Sequence, residues 1–419
     1  MLSDRLSLSK SSLGTSLILP WQIDSVVSVK GSFRTMPNFA EGEELVQDVL
    51  VGLLDKGTEK RSKIEVSTIL EDCGASVQFA SAGDYVRFEA RCLKQDLFTV
   101  LELINEQLRM PAYSQEEFDL LRNRFLAQIQ RQKFDTGTQA SEALSRKLFL
   151  PEHPSFALPV EQLEDLIGRT SILEVKEFGS KTIGLSDFVV VLVGDVAQVK
   201  PEDVLHTLTS GLPQRQVVER TFDRLKRMAP FSNDHIEIAD RNNLDVRLGH
   251  DIGLFRRSPD YLPLFAAAFM LGGNFSSRLM STIRDRDGLT YGIRSGLSGI
   301  GKNYPGSWIT SVTLSRENVE RGIRSVKDEI ESFVGESTRA DALSVCKDTL
   351  SGSYTVRLST TSGVASTLLA NHEFDYPPNR IDTYPDEIAA LTENDVDRAK
   401  ASHLEPGQLY VVSAGTLQE

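Results

Sequence analysis

Histidine is scarce and scattered in this chain: the six residues, His153, His206, His235, His250, His372 and His403, never fall within ten positions of one another. A pair of imidazoles one helical turn apart, the usual nucleus of a zinc site, is therefore missing. His372-Glu373 and His403-Leu404-Glu405 come nearest to ligand pairs, and a surface or hydrogen-bonded histidine is the simpler reading of each. Cysteine is equally sparse. Cys73, Cys92 and Cys346 have no metal-type spacing and are odd in number, which excludes a disulfide framework and fits reduced thiols in the cytosol. Basic residues are outnumbered, 46 against 59, for a formal charge of −13, which excludes an electrostatic nucleic-acid binder and a basic lipid-binding patch. No apolar run approaches the roughly 20 residues that cross a bilayer. The start, Met1-Leu2-Ser3-Asp4-Arg5, has no basic segment leading into an apolar one. A cytoplasmic protein is expected, or a periplasmic one if a leader had been removed. Neither a G-x-S-x-G elbow nor a P-loop offers another chemistry.

What is present is an ordinary globular composition, 40% hydrophobic and 25% charged, spread over 419 residues. That length exceeds one ordinary core and implies two domains. The order of elements then occurs twice. In the first half an alternating strand at Ser25 to Gly31 leads to an apolar helix at Leu45 to Leu54 and a Ser-led helix from Ser67 to near Gly74. Two alternating strands follow, Ser76 to Ala80 and Tyr85 to Arg91, then helices at Leu97 to Leu108 and Gln115 to Gln132. A buried strand, Phe188 to Asp195, closes the half. In the second half the same series runs through Val246 to Phe255, Tyr261 to Leu271, Ser276 to Gly288, Leu289 to Leu297, Ser307 to Leu314, Val319 to Phe333 and Arg339 to Leu358. It ends on the strand Leu409 to Gly415. The expected fold class is α+β: two homologous α/β-sandwich domains, each an antiparallel-rich sheet packed with helices. The domains are placed at 1–213 and 235–419, with the polar, arginine-bearing stretch 214–234 as linker.

The most specific segment is Leu271-Gly272-Gly273-Asn274-Phe275-Ser276-Ser277-Arg278-Leu279, followed by Ile283-Arg284 and Gly288-Leu289-Thr290-Tyr291. It resembles the second domain of the pitrilysin/insulinase-type zinc peptidases, whose pattern there is G-x-F-S-S-R-L…I-R-x-x-x-G-L-x-Y. Gly31-Ser32, Lys56-Gly57-Thr58, Gly74 to Phe88 and Val193-Gly194-Asp195 match the first domain, so the resemblance covers essentially the whole chain. It implies half of a clamshell-shaped metallopeptidase. The family carries H-x-x-E-H on the helix before the K-G-T segment, with two zinc-binding histidines, a glutamate base and a distal glutamate ligand. Counted back from Lys56, that motif falls on Asp48-Val49-Leu50-Val51-Gly52. Asp48 and Gly52 replace the histidines and Val51 the base, while the distal position falls near Gln128. A neutral amide is a poor zinc ligand. No metal is therefore expected in this chain, and no metallopeptidase activity is expected from it alone.

Arg284 and Tyr291 match the family's second-domain Arg/Tyr pair. In the family the arginine holds substrate carbonyls and the tyrosine hydroxyl donates to the oxygen that becomes negative. Without the resemblance, Arg284 reads as a cation favoured at a helix C-terminus, and Tyr291 as a half-buried strand aromatic. Phe275 is a further candidate for substrate contact. So are Gln78 and Phe79, on the strand pair that in the family adds a peptide as an extra strand, although Phe79 also reads as a core aromatic. Two-subunit bacterial members divide the site, one subunit carrying zinc and the other the Arg/Tyr pair. The resemblance thus implies a substrate-positioning subunit whose partners are a zinc-bearing homologue and an unfolded peptide. Two other readings stand beside it: a structural subunit like the core proteins of the respiratory cytochrome bc complex, and a homodimer that binds peptides without cutting them.

Overall fold

Strand-forming residues fall into two sets, and each set builds one sheet. The computed structural model describes residues 1–21, 25–216 and 232–417. The linker expected over 214–234 lies mostly outside the described residues. In the first half the strands are β1 (Ser7–Ser11), β2 (Gly14–Pro20), β3 (Val26–Arg34), β4 (Ser76–Ala82), β5 (Tyr85–Leu93) and β6 (Val189–Gly194). Their order across the sheet is β1-β2-β6-β3-β5-β4. In the second half they are β7 (Asn233–Glu237), β8 (Asn243–Asp251), β9 (Ile293–Ser298), β10 (Ser307–Ser315) and β11 (Tyr410–Gly415), in the order β7-β11-β8-β10-β9.

From β2 onward the first order matches the second strand for strand, and β1 is an extra edge strand without a counterpart among the described residues. β2 runs parallel to β6 as β7 does to β11, and every other equivalent pair is antiparallel. Even the closing glycines agree. Gly194 has φ 144° and Gly415 φ 148°, each pressed against the backbone of the neighbouring strand, Val26 O and Asn243 O, where a Cβ would collide or crowd. The α+β class and the internal duplication expected from the sequence are both present. The edge strands β1 and β7 were not anticipated, because short polar segments carry little alternation, nor was β2, whose buried run Leu17-Ile18-Leu19 is continuous rather than alternating.

The helices between β3 and β4 are α1 (Glu43–Leu53) and α2 (Lys63–Asp72). After β5 come α3 (Leu97–Arg109), α4 (Gln115–Gln132), α5 (Thr136–Leu148), α6 (Val160–Arg169) and α7 (Ile172–Thr182), and after β6 comes α8 (Pro201–Thr209). The second half supplies α9 (Tyr261–Gly272), a π-helical segment (Met280–Arg286), α10 (Val319–Gly335), α11 (Ala340–Arg357), α12 (Thr361–Glu373), α13 (Arg380–Ala389) and α14 (Glu393–His403).

The chain forms two compact units that interleave along the sequence. One comprises 1–128, 161–219 and 354–384; the other comprises 129–160, 220–353 and 385–419. Against the expected halves, each unit thus takes a helical segment from the other half of the chain. In the first unit α12 covers the sheet: Val364, Ala365, Leu368 and Leu369 bury Leu17, Leu19, Val189, Val191 and Val193. In the second, α5 does the equivalent, with Ala140, Leu144 and Leu148 against Tyr410, Val412 and Ala414. Each of the Val and Leu side chains among these stabilises the fold by roughly 1.5–3 kcal/mol when fully buried. Polar pins reinforce both contacts. Ser28 and Thr361 share a 2.8 Å hydrogen bond in the first unit, and Thr136 donates to Asp245 at 2.6 Å in the second.

Candidate functional site

Helix α1 carries the positions where a zinc motif would stand. Leu45, Val49 and Leu53 recur every fourth residue and are buried, so the stripe Glu44, Asp48, Gly52 shares a second face. The side chains found there do not fit zinc. Asp48 is one carboxylate, Val51 is a buried alkyl group, and Gly52 has no side chain at all. Leu121 of α4 fills the space beside Gly52, where a Cβ would come within 2.6 Å of Leu121 Cδ2. Gln128 lies two turns further along α4 and is exposed. An aliphatic plug and an exposed amide thus stand where an imidazole and a carboxylate would be needed.

The stripe has its own electrostatics. Burial, followed by the nearby Asp48 and Asp84 carboxylates, pushes the Glu44 carboxyl up to about 7. Burial also raises Asp48, against a hydrogen bond with Ser81. Gln47, fully buried next door, donates to Ser81 Oγ at 2.7 Å and to Gly83 O at 2.9 Å and accepts from Thr35. These bonds tie α1 to the β4–β5 hairpin. Glu44 was not singled out from sequence, since its environment depends on the hairpin folding over it.

Strand β4 is the edge of the first sheet, bonded only to β5. Its outer side therefore presents unpaired backbone groups to an added strand. Ser76, Gln78 and Ala80 are exposed, and Phe79 is half-buried opposite Phe88 in the register. Phe79 is thus not a core aromatic. Between this edge and α12 lies a groove of about 320 Å³ lined by Lys30, Gln78, Phe79, Arg87, Leu369 and Glu373. Its charges are paired across it: Lys30 with Glu89, and Arg87 in a two-pronged contact with Glu373 at 2.9 and 2.5 Å.

In the second unit the segment after α9 forms a π-helix, Met280–Arg286, rather than the α-helix its Ser-led start implies. Leu279, Met280 and Ile283 are buried in the core, which turns Arg284 outward. π-Helical turns are rare and concentrate at functional sites. The Arg284 guanidinium sits 5.9 Å from the Phe275 ring centroid and 5.6 Å from that of Tyr291. Among the described residues its one charged neighbour is Asp285, at 3.7 Å, beyond hydrogen-bonding distance. Phe275 is 75% and Tyr291 91% exposed.

Local chemistry places both rings. Asn274 Oδ1 accepts the Ser276 N–H at 2.8 Å, bending the chain at Phe275. Gly288, at φ 64°, ends the π-helix. Thr290 Oγ1 then lies 2.9 Å from Gly292 O and 2.7 Å from Thr313 O, and accepts the Gly292 N–H at 3.1 Å. Tyr291 therefore stands on a braced turn two residues before β9, not on the strand expected from Leu289 onward, and its half-buried strand reading is excluded. Thr290 escaped the sequence reading, because a bracing hydroxyl has no signature of its own.

Three of the histidines hold structural contacts. His372 faces Asp187 at 3.7 Å, and His403 faces Asp260 at 3.0 Å. Burial pulls His153 down to about 4, where it accepts the Ser155 N–H and contacts Pro305 O.

Residues 50–152 match the family profile described as insulinase (peptidase family M16), and residues 171–350 match the one described as peptidase M16 inactive domain. Between them the two matches cover most of the chain, and the first begins inside α1, past Asp48. The chain is 23% identical over 359 residues to the non-peptidase homolog YmxG of Helicobacter pylori, covering 85% of this chain and 81% of that protein. It is 22% identical over 348 residues to the uncharacterized zinc protease SCO5738 of Streptomyces coelicolor, covering 82% of this chain and 75% of that one. Its fold matches the crystal structure of a peptidase M16 inactive domain from Pseudomonas fluorescens with a TM-score of 0.89 at 21% identity, over 98% of both chains.

Proposed function

Because this chain belongs to the insulinase-type M16 peptidase family yet lacks the side chains of the family's zinc motif, we propose that it is a non-catalytic, substrate-positioning subunit of a two-subunit zinc metallopeptidase. Its partner is a homologous chain that carries the zinc. The observation that carries this reading is Arg284, held between two exposed aromatic rings with its N–H donors uncommitted, while Val51, Gly52 and Gln128 put apolar or neutral groups at three of the four zinc-motif positions. Decay alone gives no reason to keep two large rings in water around a cation.

A zinc held by the partner would supply Lewis-acid activation of a water for peptide hydrolysis. Arg284 holds backbone carbonyls of the bound peptide through its guanidinium fork. The Tyr291 hydroxyl donates to the carbonyl oxygen as it gains negative charge, an effect worth on the order of 10²–10³ in rate when the donor is well placed. Phe275 gives the peptide at Arg284 and Tyr291 an apolar contact. In the first unit the open β4 edge, with Gln78 and Phe79, offers an extended peptide main-chain hydrogen bonds that tolerate many sequences. The three cysteines, all unpaired, fit a cytoplasmic setting. Among the described residues no helix is long and apolar enough to cross a membrane.

The test is made on the reconstituted complex. Arg284→Ala and Tyr291→Phe should each lower kcat/KM for peptide hydrolysis by about 10- to 1000-fold, with the complex still forming by size-exclusion chromatography. Unchanged hydrolysis by both variants would return the two residues to structural roles and leave a non-cleaving, peptide-binding homodimer or a purely structural subunit as the better account.

A further inference from the structure

The duplication gives the second sheet an open edge that the proposed function leaves unused. Strand β9 holds the place in the second sheet that β4 holds in the first, at the end of the order and bonded to β10 alone. Its outer side presents backbone donors and acceptors to an added strand. The strand begins two residues after Tyr291. An extended peptide that lies at Arg284 and Tyr291 and continues in the direction of the chain therefore runs alongside it.

The two faces of β9 differ. Ile293, Ser295 and Leu297 turn to the core, where Ser295 Oγ accepts from Trp308 Nε1 at 2.8 Å and from Thr310 Oγ1 at 3.0 Å. Arg294, Gly296 and Ser298 take the opposite face. A Cβ built on Gly296, or on Gly292 just before the strand, would meet nothing within 4 Å. Arg294 is thus flanked on its own strand by open space, with room for a side chain of a neighbouring strand.

Arg294 also has charge to offer. It is exposed, and among the described residues nothing hydrogen-bonds to it or pairs with it. The Asp245 carboxylate on the same face of the sheet is already committed. It accepts from Thr136 at 2.6 Å and from Thr313 at 2.7 Å and faces Arg247 at 3.6 Å. Arg284, on the other side of Tyr291 in the sequence, is likewise uncommitted beyond Asp285 at 3.7 Å. A guanidinium with unused N–H groups matches a carboxylate fork to fork, and opposite charges on adjacent strands attract.

We propose that the β9 edge is a second peptide-binding strand and that Arg294 selects peptides carrying Asp or Glu on the strand that adds there. The inference rests on the substrate-positioning reading and names the substrate class for it. An extended chain rises roughly 3.3 Å per residue, so Arg294 lies about 10 Å past Tyr291 and the acid falls about three residues from the carbonyl held there.

Fluorescence anisotropy on the purified full chain tests this without a zinc-bearing partner. The probes are a labelled Thr/Val-rich peptide with a single central Glu and the same peptide with Gln or Lys in its place. The Glu peptide should bind saturably with a Kd of about 10–500 µM. Its affinity should exceed that of the Gln peptide about 2- to 5-fold, with the Lys peptide weaker still. Arg294→Glu, at an exposed position with space on both sides, should reverse the order of the Glu and Lys peptides. Amide hydrogen exchange should slow across 291–298 when the Glu peptide is bound. The proposal is overturned if no peptide binds saturably up to about 1 mM, which leaves Arg294 as a charge that guards the edge. It is equally overturned if Arg294→Glu keeps the original order, or if exchange slows across β4 and not across β9. Loss of the peptidase reading, by unchanged hydrolysis in the Arg284 and Tyr291 variants, is a separate result, because the order of peptide affinities is measured on this chain alone.

Discussion

At the scale of single residues, metal ligation demands particular side chains at fixed spacing, and Asp48, Val51, Gly52 and Gln128 do not meet that demand. What replaced the site was not legible. Leu121 packs on Gly52 from another helix, and no local pattern announces the contact. Gly52→His should therefore cost about 1–3 kcal/mol through overpacking. Chemical denaturation should show much of that penalty vanishing when Leu121→Ala is already present, since the alanine vacates the space; equal costs in both backgrounds would deny that Leu121 blocks the position. Glu44 gives a pH-dependent prediction. Its folded carboxyl titrates near 7 against an ordinary value of 4.5, so the folded state binds the extra proton between those values. Its ionisation therefore costs nothing below about 4.5, and the cost grows as pH rises to about 7 and is complete above it. Glu44→Gln should stabilise the chain by on the order of 2 kcal/mol at pH 8 and by nearly nothing at pH 4. A gain independent of pH would assign the effect to something other than this charge.

At the scale of elements, long periodic helices and buried strands were readable. The helix Gln115–Gln132 has the expected limits, as does the start of α9 at Tyr261. The departures lie where side chains act on backbone. Helix α2 begins at Lys63 under a capping box in which Ser62 and Glu65 each bond the other's backbone N–H, earlier than the expected Ser67. The S-x-x-E spacing that marks such a start was in the sequence. Ser62→Ala should cost about 1 kcal/mol in thermal or denaturant unfolding. The π-helix and the turn after it were hidden, because the first depends on how Leu279, Met280 and Ile283 reach the core, and the second on Thr290 bridging to β10. Thr290→Ala should loosen the turn under Tyr291 and lower kcat of the assembled peptidase several-fold while leaving global stability within about 1 kcal/mol. A loss confined to KM would argue that Tyr291 contacts substrate without aiding the chemical step.

At the scale of the whole molecule, the repeated order of elements was plain from periodicity and closing turns. The exchange of α5 and α12 between units was not, since a helix's sequence records that it has an apolar face but not which sheet covers it. That exchange has a consequence. Residues 1–213 and 235–419, made as separate chains, each lack the helix that covers their sheet, so neither should give cooperative unfolding alone, while co-expression should restore it. Independent cooperative folding of either piece would show that the covering helix is dispensable. The larger claim is that this chain holds half of a divided active site and none of its metal. The most direct measurement is zinc content by mass spectrometry together with peptide hydrolysis. Both are made on the purified chain, on a homologue with an intact H-x-x-E-H motif, and on their mixture. The account predicts no stoichiometric zinc and no cleavage for this chain alone, and chelator-sensitive cleavage by the mixture well above that of the homologue alone. Stoichiometric zinc in this chain, or chelator-sensitive cleavage by it unaided, would contradict the account.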